Sequence, residues 1–320
     1  MTQLRYSIEA YKIRIRMTRS KILLVEGKDD RYLFERYIEA TSADSQHRDF
    51  QIDTAEIVNS PSETRLGNRE KVEYICNSLS GTQWASKLVG FVDREFRSFQ
   101  LDPAIRDDIV GHHIDAGLIW SRGHSIENYW FDIQTLRSPL VECCTSAHLT
   151  DGVDLFSRVF SDALKIACSV ALALRELDAL GFGAKSVGWK ELVLEKECLK
   201  LDLAKWRSSL MNRMRADPRT IEQVCTAYDR WLTKVKLADE DSVRWLCHGH
   251  VGLWVLWSAF ARCMFEVTGG DNSVAERIAN HERESRFGSC CGAWARRRRT
   301  EFVHGPDVVL RMLGLRLRSA

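Results

Sequence analysis

Short apolar runs alternate with amphipathic stretches through the first 140 residues, and this alternation restricts the possible folds more than any other property of the chain. Residues 22–25 are apolar without interruption, as in a strand covered on both faces. The next stretch, "DDRYLFERYIEA", places Tyr32, Leu33, Phe34, Tyr37 and Ile38 at helical spacing. "FQIDTAEIV" reads as a second strand, and "NREKVEYICNSL" as a helix that Asn68 would cap, after a loop holding Pro61 and Gly67. "KLVGFVD" gives a third strand and "GLIWSR" a fourth. Strands separated by helices of this length predict a mostly parallel sheet with helices on both faces, a Rossmann-like α/β arrangement. The first 20 residues stay open, since "YKIRIRM" alternates like a strand while "LRYSIEAYKI" suits a helix.

Beyond Pro139 the pattern becomes helical. "DLFSRVFSDALKIACSVALALRELDAL", "WKELVLEKECLKLDLAKWRSSLMNRM" and "TIEQVCTAYDRWLTKV" all carry apolar residues three and four apart. The expectation is an α/β domain over residues 1–140 and an α-helical domain over 141–320, the latter suited to binding a partner, a second copy or nucleic acid. "HVGLWVLWSAFARCMF" is the most apolar stretch, but its uninterrupted part is shorter than the roughly 20 residues a membrane span needs, so a buried helix is expected.

Four acids occupy positions where parallel-sheet proteins gather ligands, outside the carboxyl ends of strands. Glu26 follows the first strand and Asp93 the third. Glu95 stands two residues past Asp93, on the same side if the backbone is extended. Asp30 is one helical turn beyond Glu26. Gly27 suits a tight turn and lets a phosphate approach the backbone. Carboxylates about 4 Å apart repel by roughly 4 kcal/mol at an effective dielectric near 20, and a divalent cation reverses that sign. All-oxygen ligands favour Mg²⁺ or Mn²⁺. The plainer alternative is that each acid caps a turn or a helix start, as Asp29 and Asp30 would do through the helix dipole.

"LLVEGKDD" together with "VGFVDRE" resembles the Toprim domain of topoisomerases, bacterial primases and the OLD-type nucleases. "GHSIENYWF" is similar to a motif of the stand-alone Toprim-like family of bacterial anti-phage loci, with the nuclease subunits of PARIS-type defence systems nearest. The resemblance covers residues 21–132; the remainder agrees only in being helical. It implies a metal-dependent endonuclease in which Glu26, Asp30, Asp93 and Glu95 hold Mg²⁺ or Mn²⁺, with Glu26 also a candidate general acid or base. Glu127, at the glutamate of the I-E-N-Y motif, would support the metal shell. It further implies an ABC-type ATPase sensor as partner, RNA (host transfer RNA among the candidates) as target, and a dimer as the active form. A DNA endonuclease of an OLD-like complex and a non-cutting regulatory subunit are the alternatives. Glu95 replaces the aspartate of the family's D-x-D pattern, which puts a second metal in question. Where relatives carry Gly-Lys in the helical half, this chain has "WLCHGHVGLW", so His250 would stand in for a phosphate-binding lysine.

Remaining features are less specific. Net charge is only +2, yet the last 40 residues carry nine arginines against four acids. Arg296, Arg297, Arg298 and Arg299 either grip phosphates beside a stacking Trp294 or form a solvated helix face. Lys28 either pairs with a phosphate oxygen or faces solvent. "LGFGAKSVG" lacks the glycine before Lys185 and the preceding strand that a phosphate-binding loop needs, so ATP binding within this chain is not expected and any ATP requirement would come from a partner. The ten cysteines include no C-x-x-C pair, so zinc is not expected. Charges interrupt every apolar run before residue 21, so no signal peptide is expected, and reduced thiols in a cytoplasm fit best.

Overall fold

The computed structural model describes residues 5–42, 49–60, 65–214, 217–298 and 304–318. Contacts divide the chain into two compact units, each discontinuous in sequence. One comprises residues 1–94, 109–126 and 294–320, the other residues 95–108 and 127–293. This partition differs from a single border near residue 140: the C-terminal segment belongs with the N-terminal unit.

The first unit is mixed α/β with a mostly parallel sheet. Its strands are β1 (Lys21–Val25), β2 (Phe50–Thr54), β3 (Leu88–Val92), β4 (Ile114–Asp115) and β5 (Leu118–Trp120). They lie in the order β2-β1-β3-β5-β4, parallel except for the antiparallel edge strand β4. The strands alternate their side chains between two apolar layers, as the pleat requires. Ile22 and Leu24 join Leu88, Val92, Leu118 and Trp120 in one core, covered by helices α1 (Ile8–Met17) and α3 (Asn68–Leu79). On the other face Phe91 meets Phe34 of α2 (Lys28–Thr41) edge to face at 4.8 Å. The helix Asp307–Leu313 also packs against β1 and β3.

The ambiguous N-terminal stretch forms α1. Ser7 caps it by accepting from the Ala10 N–H at 3.2 Å, and Ile8, Tyr11 and Ile15 bury one stripe at helical spacing. α3 begins differently from expectation. Glu70, rather than Asn68, does the capping, accepting from the Gly67 N–H at 2.7 Å. The stretch read as one strand over 50–58 ends at Thr54, turns through Ala55–Ile57, and resumes only as Val58–Asn59.

The second unit is helical around α4 (Leu149–Glu176), which packs against α5 (Pro218–Leu237) and α6 (Gly249–Val267). Gly152 lies flush against Met264, where any Cβ would collide with the thioether, so the two helices approach closely. α6 is the predicted buried helix, with Leu253, Leu256, Trp257, Phe260 and Met264 all nearly inaccessible. No helix of the described residues is long and apolar enough to cross a membrane. The helix predicted over "WKELVLEKECLKLDLAKWRSSLMNRM" is half wrong. Leu192–Glu195 and Cys198–Leu201 form an antiparallel hairpin, and only Leu203–Met214 is helical there. Lys196 and Glu197 turn the hairpin at φ +49° and +65°, the left-handed geometry of a two-residue hairpin loop.

Gly90 fixes how closely α3 can approach the sheet. A Cβ at this position would fall far inside the contact radius of Cys76 Sγ and press on Leu118 and Val72. Gly90→Ala should therefore lower stability by about 1–3 kcal/mol in urea unfolding, and the added change Cys76→Ala should restore part of the loss. Equal stability of Gly90→Ala and the parent would show that this layer has slack.

Candidate functional site

Parallel pairing in register brings the ends of β1 and β3 together. Val25 stands opposite Phe91, so Glu26 is level with Val92 and Asp93 comes one residue later. At that point the Asp93 N–H donates to Glu26 Oε1 at 2.7 Å. On the other side of β1, Val25 stands opposite Thr54, and β2 runs on into the turn carrying Glu56. Glu56 Oε1 lies 3.8 Å from where a Gly27 side chain would begin. Three adjacent parallel strands thus each deliver one acid to the same rim. Sequence reasoning missed Glu56. Its only signal was position just past a strand whose end the "FQIDTAEIV" reading set too late.

Asp30 is buried, and its Oδ2 accepts from the Gly27 N–H at 2.9 Å, closing the first turn of α2. This is the capping role any acid here can play. Lys28 opens α2 and faces solvent. Gly27 itself has φ −150°, a conformation open to all residues, and a Cβ would make only ordinary contacts with Glu56 and Asp30. Neither turn geometry nor packing demands glycine there, contrary to the tight-turn expectation.

Glu95 departs from the expected arrangement. Its φ is +51°, in the left-handed region, so the backbone is not extended past Asp93 and the same-side argument for the two carboxylates does not hold. Glu95 is exposed and belongs by its contacts to the second unit. The predicted acids therefore divide, with Glu26, Asp30 and Asp93 in the α/β unit and Glu95 and Glu127 in the helical one. Among the described residues, no group of three or more His, Cys, Asp or Glu side chains is gathered as a metal-holding cluster.

In the helical unit the segment Glu127–Trp130 is held by several contacts. Asn128 Nδ2 donates to the carbonyls of Arg244 at 2.6 Å and Cys247 at 2.8 Å. Arg244 returns a bond to Tyr129 O at 2.9 Å, Tyr129 packs edge-on to Trp245, and Trp130 to Phe287. This lock fixes Glu127, which is buried and faces His250 Nε2 at 3.3 Å and Arg283 Nη2 at 3.8 Å. Arg283 in turn lies 3.0 Å from His250 Nε2. Burial pushes His248 below its ordinary value and His250 adds to the effect, against the pull of Glu127 and Glu95. Arg283 is the second residue that sequence reasoning missed, because nothing in its local pattern signals a partner 156 positions away.

The arginine run is only in part a surface feature. Arg298 donates to Asp307 Oδ2 at 2.8 Å, and Asp307 also accepts from the Tyr37 hydroxyl. Trp294 is fully buried, stacked on Tyr37 at 4.9 Å, with Nε1 donating to His304 O at 3.0 Å, and so offers no face for a base. Arg296 is exposed and Arg297 partly so, while Arg299 lies outside the described residues. Nor does "LGFGAKSVG" form a phosphate loop. Leu180–Gly183 is one helical turn, and Gly183 is pressed against Leu174.

No protein-family model matches the chain, and no curated protein matches it.

Arg298→Ala should cost about 1 kcal/mol, since a partly buried ion pair is lost and the Tyr37–Asp307 contact loosens. Arg296→Ala should stay within about 0.5 kcal/mol in the same thermal melts. Equal effects would show that Arg298 is not part of the packed C-terminal segment.

Proposed function

We propose that the chain is a metal-dependent nuclease of the Toprim type, with Glu26 and Asp93 as its central carboxylates. The observation that carries the reading is the 2.7 Å bond from the Asp93 N–H to Glu26 Oε1, which keeps two acids from adjacent parallel strands within reach of each other. Asp30 and Glu56 stand around the Gly27 turn as further oxygen donors. An all-oxygen set suits a hard divalent cation such as Mg²⁺ or Mn²⁺, which when bound would supply charge neutralisation at a scissile phosphate and activation of water. The chain's own part is to hold these donors on one rim and to leave the Gly27 backbone open. A glycine that neither φ nor packing requires is accounted for by close approach of a phosphate to the main chain.

Glu95 and Glu127 fit a supporting role in the helical unit, where both act on His248, and Glu127 also holds His250 and Arg283. Lys28, His250, Arg296 and Arg297 are the cations proposed to meet the nucleic-acid backbone; Arg298 is engaged with Asp307. The resemblance to the anti-phage family carries the biological setting: RNA as target, transfer RNA among the candidates, an ABC-type ATPase that restrains or releases the enzyme, and a dimer as the active form.

A second reading has one observation in its favour. Glu26 is already engaged with the Asp93 N–H and Asp30 with the first turn of α2, and the described acids form no ready metal cluster. On that reading the chain binds nucleic acid or a partner without cutting.

Cleavage assays on RNA and DNA separate the two. Glu26→Ala should lower cutting at least about a hundredfold, equivalent to about 2.7 kcal/mol. EDTA should abolish activity, and Mg²⁺ or Mn²⁺ should restore it. Full activity of Glu26→Ala, or metal-independent cutting, removes the nuclease mechanism proposed here. Gly27→Ala should fold with stability within about 1 kcal/mol of the parent yet cut more slowly. Unchanged cutting by that variant would mean that no phosphate reaches the Gly27 backbone.

A further inference from the structure

The helical unit contains a cavity of about 740 Å³, a size typical of small-molecule sites rather than of a bare ion. Leu253 and Trp254 of α6 form an apolar wall, and Lys185, His248, His250, His281, Arg283 and Arg286 are the basic side chains on its lining. Glu282 is the acid on its lining. The indole of Trp254 is held in place by its own Nε1, which donates to Val187 O at 2.7 Å. Lys185 Nζ lies 5.5 Å from that ring centroid and the Arg286 guanidinium 5.2 Å.

Arg286 is the informative residue. It is 3% exposed, yet its Nε has no hydrogen-bond partner, and among the described residues no carboxylate pairs with it. One Nη2 donates to Ala279 O, and the guanidinium also lies 5.7 Å from the Trp257 ring centroid. Burial pushes its pKa down to about 10, with only the thiols of Cys143 and Cys290 opposing that shift. A buried cation without a counter-charge costs several kcal/mol, and contacts with aromatic rings return only part of it. An anion entering the cavity would supply the missing charge and accept from the guanidinium fork.

We propose that this cavity binds a nucleoside 5′-phosphate, with the base against Trp254 and the phosphate on Lys185, Arg283 and Arg286. A bare phosphate would leave the apolar wall unused, and an uncharged ring would leave Arg286 uncompensated. The chemistry is shared by a free nucleotide and by the 5′-phosphorylated end of a strand. The site lies wholly in the helical unit; it shares His250 with the proposed nucleic-acid contacts but none of the rim carboxylates, so the inference does not rest on the nuclease reading.

Isothermal titration calorimetry on the full-length chain tests it, with AMP, adenosine, inorganic phosphate, and a short oligonucleotide with and without a 5′-phosphate as probes. AMP should bind at least about tenfold more tightly than adenosine or phosphate. If only the 5′-phosphorylated oligonucleotide binds, the source is a strand end and the site stands. Lys185→Glu, an exposed position with no structural hydrogen bond to lose, should weaken binding at least about tenfold and leave the melting temperature unchanged. Arg286→Met should abolish binding while the melting temperature stays level or rises, as expected where a buried charge is kept for a ligand rather than for the fold. Glu26→Ala should bind the nucleotide like the parent. Failure of both AMP and the 5′-phosphorylated oligonucleotide to bind at millimolar concentration overturns the proposal. So does binding that survives Lys185→Glu, whatever Arg286→Met does to folding.

Discussion

The in-register parallel pairing of β1 with β3 is the constraint from which the rest of the α/β unit follows. It sets Val25 against Phe91, and so sets Glu26 beside the first residue to leave β3. A one-residue slip would turn Ile22 and Leu24 away from the α1–α3 layer and put Leu23 and Val25 there instead. The core therefore enforces the register, and the register places the carboxylates. The bond from the Asp93 N–H to Glu26 Oε1 is a consequence of packing carried out one to five residues upstream. Gly90 is part of the same arrangement, because only a residue without a side chain lets α3 settle against the sheet at Cys76 and Val72.

β1, β3 and β5 were legible because each is a short, uninterrupted apolar run, a pattern that a doubly covered strand explains economically; the exposed two-residue edge strand β4 was not. α4, α5 and α6 were legible for the complementary reason, being long enough for a 3.6-residue period to show. The hairpin over 192–201 was not. Leu192, Leu199 and Leu201 are buried, but the segment is flanked by real helical spacing, and its turn depends on two residues with positive φ that carry no glycine or asparagine. Backbone handedness also decided the fate of Glu95. The spacing of Asp93 and Glu95 implies a shared side only along an extended chain, and a single left-handed residue cancels that inference. Arg283 and Glu56 escaped notice because their roles depend on tertiary neighbours, which no local pattern encodes.

Capping and chemistry compete for the same atoms at the strand-end rim. Glu26 and Asp30 each accept a backbone N–H, and a carboxylate so bound is aimed. Such bonds do not forbid metal ligation, since a carboxylate has two oxygens and about four acceptor directions. They do limit how far the side chains can travel. A cation at this rim would have to be met by carboxylates that keep their backbone donors.

The two units differ in how they treat a costly charge. At the strand-end rim Glu26 and Asp30 are each answered by a main-chain N–H group. Glu127 is likewise answered, by His250 and Arg283 from the same unit. Arg286 is not: its neighbours are indoles, thiols and one carbonyl, none of which carries a compensating charge. A chain can remove such a residue with one substitution to a hydrophobe of similar length, so its presence beside a cavity lined by further cations has to be explained by something that occupies the cavity. By this criterion the clearest need for a ligand comes from the buried guanidinium of the helical unit, whereas Glu26 and Asp30 at the rim each already accept a main-chain N–H.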